Sequence, residues 1–540
     1  MRTCLRPRLL FSGLVAIVAL AATAAIAQPA GTAKAESEDY LRYVTKCLNV
    51  LVEHGTDCYG PKQAPILVSI LDTETRRCPP HPEALDESWR VGRRERRNPA
   101  GANLLTDQPL LKTMAAVSAV TGEEKYRRFA DGYIDWYLKN LVDDKGFLWW
   151  GWHRHYDVYQ DKMLGHLGNP HEIHAIHSIA WDPLWRVNPS AVRREIEAIW
   201  QWHVIDKTTG EVNRHGDGQR GCDFAMAAGA CAYAFAFLHQ RTNDPVWLDR
   251  AKLLARYYWD RRNPKTDLFA DRPNAGSNRF DGSHFVTSDT GLYCHALLKC
   301  YELTGAPLFK DHALAYLRAY RKHGYDPATG RFWGSLRLDG TPVAGPRLLP
   351  ASDGKGADYG IYEPRGYLDL WQPYVAGYEH PLPTAQVYAF AFSLTNEPAM
   401  LDTARLFAKL METNLPPRAC LKESWYRGYA ERYAPQGTYA GLYGQSVSFF
   451  LHVYLLTGEP RYLRLARGTA DDAIARLFHN GLFRGHPAKP YYEAVDGVGY
   501  LLYALLELDQ VIKHPEQALS QKKIVIGKGS QQTTLPLDNW

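Results

Sequence analysis

The sequence predicts an all-α protein, an (α/α) toroid or barrel built from helical hairpins. The main observation is a short phrase of Thr, then Gly or Asn, then usually an acid and Pro, which recurs between apolar segments with helical spacing. Its copies begin at Thr121, Thr242, Thr304, Thr395 and Thr457. Gly or Asn suits the left-handed position that ends a helix, and Pro suits the first turn of the next one. Each copy therefore predicts the tight turn of a helical hairpin.

Repeated hairpins either stack as an open solenoid or close into a toroid. The copies are irregularly spaced, and the remaining connections are long and rich in aromatic residues. These features favour a toroid, in which long loops build a cleft at one end. We expect a single catalytic barrel over residues 28–512, with a Gly-, Pro- and aromatic-rich insertion at about 324–384. The polar tail, 513–540, is expected to be extended or loosely docked.

The N-terminus has the three parts of a secretory signal. Arginines precede an apolar stretch over 9–26, and Ala25-Ile26-Ala27 supplies small residues for cleavage. A membrane anchor is the alternative, because the stretch is long enough to span a bilayer marginally. The small residues favour removal, so we expect a signal peptide over 1–27. The mature protein is then exported, periplasmic or secreted, and free of the membrane.

Composition and charge limit the classes of function. The chain has 540 residues, of which 46% are hydrophobic and 12% aromatic, which excludes a disordered, collagen-like or coiled-coil protein. The net charge of +5 falls to about +2 once the leader arginines are removed, so it gives no reason to expect a nucleic-acid partner. A soluble globular enzyme is the default expectation.

Histidines are unusually dense between Trp149 and His215. They fall into three groups, at 149–157, 169–177 and 213–217, and each group reads as a loop or a helix start. Imidazoles and a carboxylate from separate segments suit a mid-row divalent metal such as Mn, Co, Ni or Zn. Ordinary structural roles compete with this interpretation, since many histidines are hydrogen-bonded packing residues and an acid at a helix start complements the helix dipole.

The adjacent pair Arg214-His215 points to a substrate class. A metal ligand beside a guanidinium can neutralise a carboxylate on the substrate. Neutralisation acidifies the proton on the carbon next to the carboxyl, which is the opening step of β-elimination on a uronic acid. A base removes that proton, and the glycosidic oxygen leaves from the neighbouring carbon. The pair therefore predicts an enzyme that acts on an acidic polysaccharide or oligosaccharide.

At these residues the chain resembles the family 2 polysaccharide lyases, pectate or exopolygalacturonate lyases of (α/α) barrel type. The resemblance implies that His153, Glu172 and His215 bind a divalent metal, with Mn, Co or Ni expected most. It also implies that Arg214 is the catalytic base. His155 stays open as an alternative to His153, because the two lie in the same loop.

Two roles are open for Arg214. Arginine is effectively always protonated in proteins, so an arginine base needs strong positive charge beside it. A nearby metal and histidine would supply that charge. Otherwise Arg214 stays cationic and clamps the substrate carboxylate.

Other side chains in the predicted loops are candidates for substrate contact. An indole can stack on a sugar face and an arginine can meet a uronate carboxylate, although core packing and a solvated surface are the alternatives. The candidates are His155, His171, Trp152, Arg279, Arg365 and Tyr367.

Two further functions compete with the lyase. An (α/α) glycoside hydrolase acting on uronides would need two carboxylates across the cleft. Its activity would persist after a chelator removes metal ions. Its candidate carboxylates are Asp157, Asp217, Asp223 and Asp289. A non-catalytic glycan-binding toroid is the third possibility, and it leaves the histidine-rich loops without a purpose.

Overall fold

The computed structural model describes most of the chain from Asp39 onward, and these residues form one compact unit. The described residues are 39–80, 101–151, 154–165, 171–173, 178–274, 283–345, 365–371, 381–416, 437–527 and 532–539. The expected signal peptide at 1–27 lies outside these ranges, as do Trp152, His153 and Arg279.

The α-helices follow one another as antiparallel pairs. In chain order the described α-helices are α1 (Tyr40–Val50), α2 (Leu104–Thr121), α3 (Lys125–Asn140), α4 (Trp181–Val187), α5 (Pro189–Ala198), α6 (Ala225–Thr242), α7 (Pro245–Trp259), α8 (Cys294–Thr304), α9 (Pro307–Gly324), α10 (Pro381–Thr395), α11 (Pro398–Thr413), α12 (Ala440–Thr457), α13 (Pro460–Leu477), α14 (Val498–Lys513) and α15 (Pro515–Gln521). Short π-helical turns extend α1 over Leu51–Gly55 and α5 over Ile199–His203, and another, Asp289–Tyr293, leads into α8.

The paired helices form two layers. Helices α2, α6, α10, α12 and α14 bury residues around most of their circumference, as inner helices do, whereas α3, α5, α7 and α13 bury one face. Contacts between inner helices run in the order α2, α14, α12, α10, α8 and α6. Contacts through α3, α4 and α5 join α6 back to α2. The ring confirms the predicted (α/α) toroid.

The recurring phrase forms the predicted hairpin turns. In every copy the residue after the threonine adopts a left-handed conformation, with φ between Asn243 at +55° and Gly122 at +78°. Each threonine also bridges the turn, because its hydroxyl donates to the carbonyl four residues earlier and accepts from the amide two residues later. For Thr457 these distances are 2.7 Å to Val453 O and 3.2 Å from Glu459 N. The other four threonines make the same two bonds.

Short antiparallel strands occupy the connections that lead from an outer helix back to an inner one. These strands are β1 (Ile70–Asp72), β2 (Gly101–Ala102), β3 (Arg154–Asp157), β4 (Lys162–Gly165), β5 (Val204–Asp206), β6 (Glu211–Val212), β7 (Phe285–Val286), β8 (Tyr325–Asp326), β9 (Arg331–Phe332), β10 (Ser335–Leu336), β11 (Phe478–His479), β12 (Leu482–Phe483) and β13 (Tyr491–Glu493). They pair as β1 with β13, β2–β3–β4, β5 with β6, β7 with β10, β8 with β9 and β11 with β12. Because helix direction alternates within a ring of hairpins, these connections meet at one end of the toroid. Strands β8, β9 and β10 lie within the expected insertion, 324–384.

The C-terminal segment departs from the expectation of an extended or loosely docked tail. It forms α15 and a hairpin of β14 (Ile524–Ile526) with β15 (Thr533–Leu535), and then buries Asp538 and Asn539. The Asn539 side chain donates to Ser448 Oγ of α12 at 2.8 Å and to Tyr500 O of α14 at 3.1 Å. The end of the tail is therefore anchored between two inner helices.

None of the described helices is long and apolar enough to cross a bilayer.

We expect Asp538→Asn to lower the free energy of unfolding by about 2 kcal/mol at pH 7, because the carboxylate is 3.1 Å from His295 Nε2 and 3.7 Å from Lys299 Nζ. Burial alone would raise the pKa of Asp538, but Lys299, His295 and Lys112 outweigh burial and hold that pKa below its usual range. A depressed carboxylate pKa stabilises the fold above the unfolded value of about 4, and this contribution is lost as the pH falls below it.

Urea unfolding at pH 7 and at pH 3.5 measures the effect. The difference in free energy of unfolding between the parent protein and the variant should be smaller at pH 3.5 than at pH 7. An equal difference at both pH values would contradict the ion-pair explanation. Asp135→Asn is the matched control, since its pair with Lys139 is exposed and contributes little.

Candidate functional site

The described part of the second histidine group lies beside the third group. Glu172 and His215 form an antiparallel backbone bridge. Ile173 N donates to Arg214 O at 2.9 Å, and Gly216 N donates to His171 O at 2.8 Å. The first of these segments lies between α3 and α4 and the second between α5 and α6, so two separate connections are fixed in register. We call this pair of segments, 171–173 and 213–216, the bridge.

The bridge brings a carboxylate, a guanidinium and an imidazole together. The Glu172 carboxylate forms an ion pair with Arg214 Nη2. His215 Nε2 lies 4.0 Å from Glu172 Oε1. Glu172 and Arg214 are buried, whereas the His215 side chain is 30% exposed. Solvent therefore reaches the site from the side of His215, and the ion pair lies behind it.

A second guanidinium stands beside Arg214. The Arg214 guanidinium carbon is 4.8 Å from the centre of the Phe224 ring, and that of Arg272 is 4.9 Å from the same centre. Arg272 is buried. Two guanidiniums on one aromatic ring produce a positive field that suits an anionic substrate. Arg272 lies in the connection between α7 and α8 with no motif around it, so no sequence signal pointed to it.

Buried carboxyl groups lie within electrostatic range of the two arginines. Burial raises the pKa of Asp271 to about 6, with Arg272 and Arg214 opposing the rise. Burial raises the pKa of Asp289 as well, and the charge of Asp271 raises it further. Burial therefore opposes ionisation of both carboxyl groups, and the charge of Asp271 adds to this effect at Asp289. Asp223 accepts from Tyr257 Oη at 2.7 Å and from Asn274 N at 2.9 Å.

The other two carboxylates proposed for a hydrolase support turns. Asp157 accepts from the amides of Tyr159 and Gln160, each at 3.0 Å. Asp217 accepts from Asn213 Nδ2 at 2.6 Å and from Gln219 N at 2.9 Å. These contacts give both carboxylates a local structural purpose.

A buried chain of hydrogen bonds supports the bridge. His203 Nδ1 lies 2.8 Å from Asn213 O, which accepts only, so His203 carries its proton on Nδ1. His203 Nε2 is then an acceptor for His171 Nδ1 at 2.9 Å, and His171 Nε2 accepts from Trp150 Nε1 at 3.2 Å. Burial lowers the pKa of His203 to about 3 and lowers that of His171 well below its usual value. Both rings are therefore neutral, and each has a defined tautomer.

The structure places His171 in the interior, which differs from the predicted contact with substrate. Both of its ring nitrogens bind protein groups, and its ring stacks on Phe147 with the centroids 4.1 Å apart. His171 therefore acts as a positioning residue behind Glu172. His203 supports the bridge in the same way, and no local sequence pattern marked it.

The first histidine group borders the bridge through the described residues around it. Gly151 has φ of +110°, and a Cβ added there would lie 3.3 Å from Glu172 O. Asn103 Nδ2 donates to Gly151 O and, at 2.9 Å, to Arg154 O. These contacts fix both ends of the pair 152–153, which lies outside the described residues. His155, on β3, is half-buried, and burial lowers its pKa to about 4.

Glu172 and His215 are the described members of the predicted metal-ligand set. A group of three His, Cys, Asp or Glu residues suited to a metal is absent from the described ranges, and the expected third ligand, His153, lies outside them. The remaining pair fits a divalent ion by its chemistry, since a carboxylate oxygen and an imidazole nitrogen approach each other beside the solvent.

Arg365 and Tyr367 lie in a different connection, between α9 and α10. Tyr367 Oη donates to Asp326 Oδ2 at 2.5 Å, and its ring stacks on Trp333 with the centroids 4.1 Å apart. Arg331 covers the same ring at 4.1 Å. These contacts give Tyr367 a structural role at the end of the toroid that carries the bridge. Arg279, the remaining predicted contact, lies outside the described residues.

The supporting role of His203 is testable by a ring-for-ring substitution. We expect His203→Phe to lower the free energy of unfolding by roughly 2–4 kcal/mol, because it leaves Asn213 O and His171 Nδ1 buried without a partner. The comparison variant is His312→Phe, which also removes a largely buried imidazole but breaks one hydrogen bond, to the backbone of Ala255, and preserves the stack on Trp259 at 4.0 Å. We expect it to lose less stability than His203→Phe. Urea unfolding of both variants measures the free energy of unfolding that each one loses. Equal losses in the two variants would argue against a supporting role for the hydrogen-bond chain.

The segment that contains the bridge is similar to known proteins. A family model described as periplasmic pectate lyase matches residues 87–226. The resemblance to pectate lyases is confirmed. The match contains His153, Glu172, Arg214 and His215, and ends before Arg279 and Arg365. A pectate disaccharide-lyase of Dickeya dadantii (strain 3937) is 27% identical over 201 residues, which cover 31% of this chain and 36% of that relative. The matched region thus spans about a third of the relative's length.

Solved structures of similar architecture have low sequence identity. A D-mannose isomerase aligns over 88% of this chain and 99% of its own, with 11% identity and a TM-score of 0.44. An unsaturated glucuronyl hydrolase specific for heparin aligns over 88% and 98%, with 10% identity and a TM-score of 0.44.

Proposed function

We propose that this protein is a metal-assisted polysaccharide lyase that cleaves uronic-acid glycans by β-elimination, with pectate or polygalacturonate as the favoured substrate. The observation that carries the proposal is the bridge, which places Glu172 and Arg214 in contact beside His215 within the segment matched by the periplasmic pectate lyase model. The same match supports export, and we propose that the mature protein acts in the periplasm or outside the cell.

The proposed metal ligands are Glu172, His215 and His153, with His155 as the alternative to His153. The contacts of Gly151 with Glu172 and of Asn103 with both flanks of 152–153 support a third ligand from this loop. A bound divalent ion such as Mn, Co or Ni would supply positive charge that neutralises the substrate carboxylate.

Arg214 is the proposed base. In this role its neutral guanidine takes the proton from the carbon next to the carboxyl, and the C–H electron pair forms the new C=C bond. The glycosidic C–O bond breaks, its electron pair leaves with the oxygen, and that oxygen takes a proton from water. Arg272, which contacts the same aromatic ring as Arg214, provides positive charge that favours such a role, and an ion bound at Glu172 and His215 would add to it. A clamp on the substrate carboxylate is the alternative use of the same guanidinium. The proposed substrate contacts remain Arg365, Tyr367, Arg279 and Trp152. His155 is a further proposed substrate contact if His153 is the metal ligand.

Elimination is tested directly by ultraviolet absorbance, because the product carries a conjugated double bond. We expect purified mature protein to raise the absorbance of polygalacturonate, and we expect Arg214→Ala to lower the turnover rate by roughly 10²–10⁴-fold. The matched control is Arg220→Ala in the same connection, since Arg220 is 65% exposed and pairs with Asp206 and Glu211. The control should stay within about twofold of the parent.

The kinetic parameters separate the two roles of Arg214. Loss of a base lowers kcat with little change in KM, whereas loss of a clamp also raises KM. Full activity of Arg214→Ala would remove Arg214 from both roles. Release of reducing sugar without absorbance would instead identify a hydrolase, and absence of both products on uronate polymers would leave a glycan-binding protein.

The metal proposal has its own readout. Dialysis against Mn²⁺ followed by elemental analysis should give one bound ion per chain, and Glu172→Gln and His215→Ala should each abolish stoichiometric binding, because each removes a ligand. EDTA should abolish elimination, and added Mn²⁺ should restore it. His239→Ala is the matched control, since that histidine lies at the far turn between α6 and α7. Stoichiometric metal in both ligand variants would place the ion elsewhere.

A further inference from the structure

A cavity of about 540 Å³ opens on the outer layer of the toroid, between the end of α5 and the start of α7. It is lined by tryptophans and arginines, chiefly Trp200, Trp202, Trp247, Arg193, Arg194 and Arg250. We call it the tryptophan cavity. Its volume lies in the range of small-molecule sites in proteins.

The tryptophan cavity exposes apolar surface that the rest of the fold covers. Among the described residues, the large hydrophobic side chains with substantial exposure are Trp202, at 36%, and Val246, at 46%. Both line this cavity. Apolar surface gathered around one concave site marks a binding site more often than scattered exposure does.

Positive charge surrounds the indole rings. The Arg250 guanidinium lies 4.2 Å from the centre of the Trp200 ring and 4.3 Å from that of Trp247. Lys145 Nζ lies 4.4 Å from the centre of the Trp202 ring. Cations outnumber acids in the lining.

The acids of the lining already have partners. Asp244 accepts from Val246 N at 3.0 Å as the cap of α7, and Glu197 pairs with Arg193 at 2.8 Å. The cavity therefore presents a net positive charge to a ligand.

We propose that the tryptophan cavity is a second binding site for an acidic saccharide, taking a uronate unit or a short run of them. An indole stacks against the apolar face of a sugar ring, and a guanidinium binds a carboxylate in two-point fashion. A neutral sugar would use the exposed indole of Trp202 but would not offset the excess of cations over acids in the lining.

The tryptophan cavity adjoins the bridge through two short links. Lys145 Nζ donates to Gly216 O at 3.0 Å, one residue beyond His215. Trp202 precedes His203, whose ring supports Asn213. A polymer held at the cavity is thereby kept close to the site, which raises its effective concentration there. This consequence for turnover rests on the proposed function, whereas the binding itself rests on the chemistry of the cavity.

Binding is tested by calorimetric titration of trigalacturonate into the full mature chain carrying Arg214→Ala, which limits consumption of the probe. Adding Trp202→Ala and Arg193→Gln should raise the Kd at the tryptophan cavity by about tenfold, which corresponds to about 1.4 kcal/mol of binding free energy. Adding Arg127→Gln instead is the matched control, because Arg127 is an exposed arginine paired with Glu124 on α3. The control should change binding by less than about twofold.

The cavity proposal is overturned if the double substitution leaves the isotherm unchanged, or if maltotriose, a neutral trisaccharide, binds as tightly as trigalacturonate. With Arg214 intact, the double variant should keep its rate on trigalacturonate and lose rate on dilute polygalacturonate. If the parent protein shows no elimination but the cavity substitutions still weaken binding, the proposed function fails and the saccharide site stands. If elimination proceeds and binding is insensitive to the substitutions, the saccharide site fails and the proposed function stands.

Discussion

The site depends on one buried ion pair, between Glu172 and Arg214. Taking two charges out of water costs several kcal/mol per ion, and their attraction offsets that cost only when geometry and additional hydrogen bonds hold the pair in place. Here the backbone bridge fixes both residues, and the neutral chain of Trp150, His171 and His203 supports the bridge from behind. A buried pair contributes little net stability, so an arrangement of this kind is better explained by function than by folding.

The toroid has two kinds of connection between helices, and the candidate site lies in only one of them. Turns from inner to outer helices are minimal and are completed by a threonine hydroxyl, as at Thr457. Connections from outer to inner helices are long and carry strands, the bridge, and the Asp326–Tyr367 contact. Loops at one end can therefore vary in length and residue type while the helical ring beneath them keeps its packing.

Local sequence signals predicted the features that local physics determines. The hairpin turns follow from Thr-Gly and Thr-Asn phrases because conformation and capping act within a few residues. Glu172 and His215 became candidates because each lies in a short histidine-rich group. Arg272 and His203 were missed because their importance comes from partners far along the chain. The tail was misjudged for the same reason, since Asp538 reads as a solvent-facing acid until α8 supplies its partners.

The two roles of Arg214 make different demands on Glu172. As the structure stands, the Glu172 carboxylate stabilises a charged guanidinium, which suits a clamp without any further change. A base must give up that charge, and it does so more readily when Glu172 shares its negative charge with another cation. Arg214 then shares the Phe224 ring with Arg272 while less negative charge compensates it, and its neutral form becomes less costly. An arginine base at this position is therefore favoured when Glu172 serves as a cation ligand, so the proposed base depends on the proposed ligand, whereas the ligand role is equally compatible with a clamp.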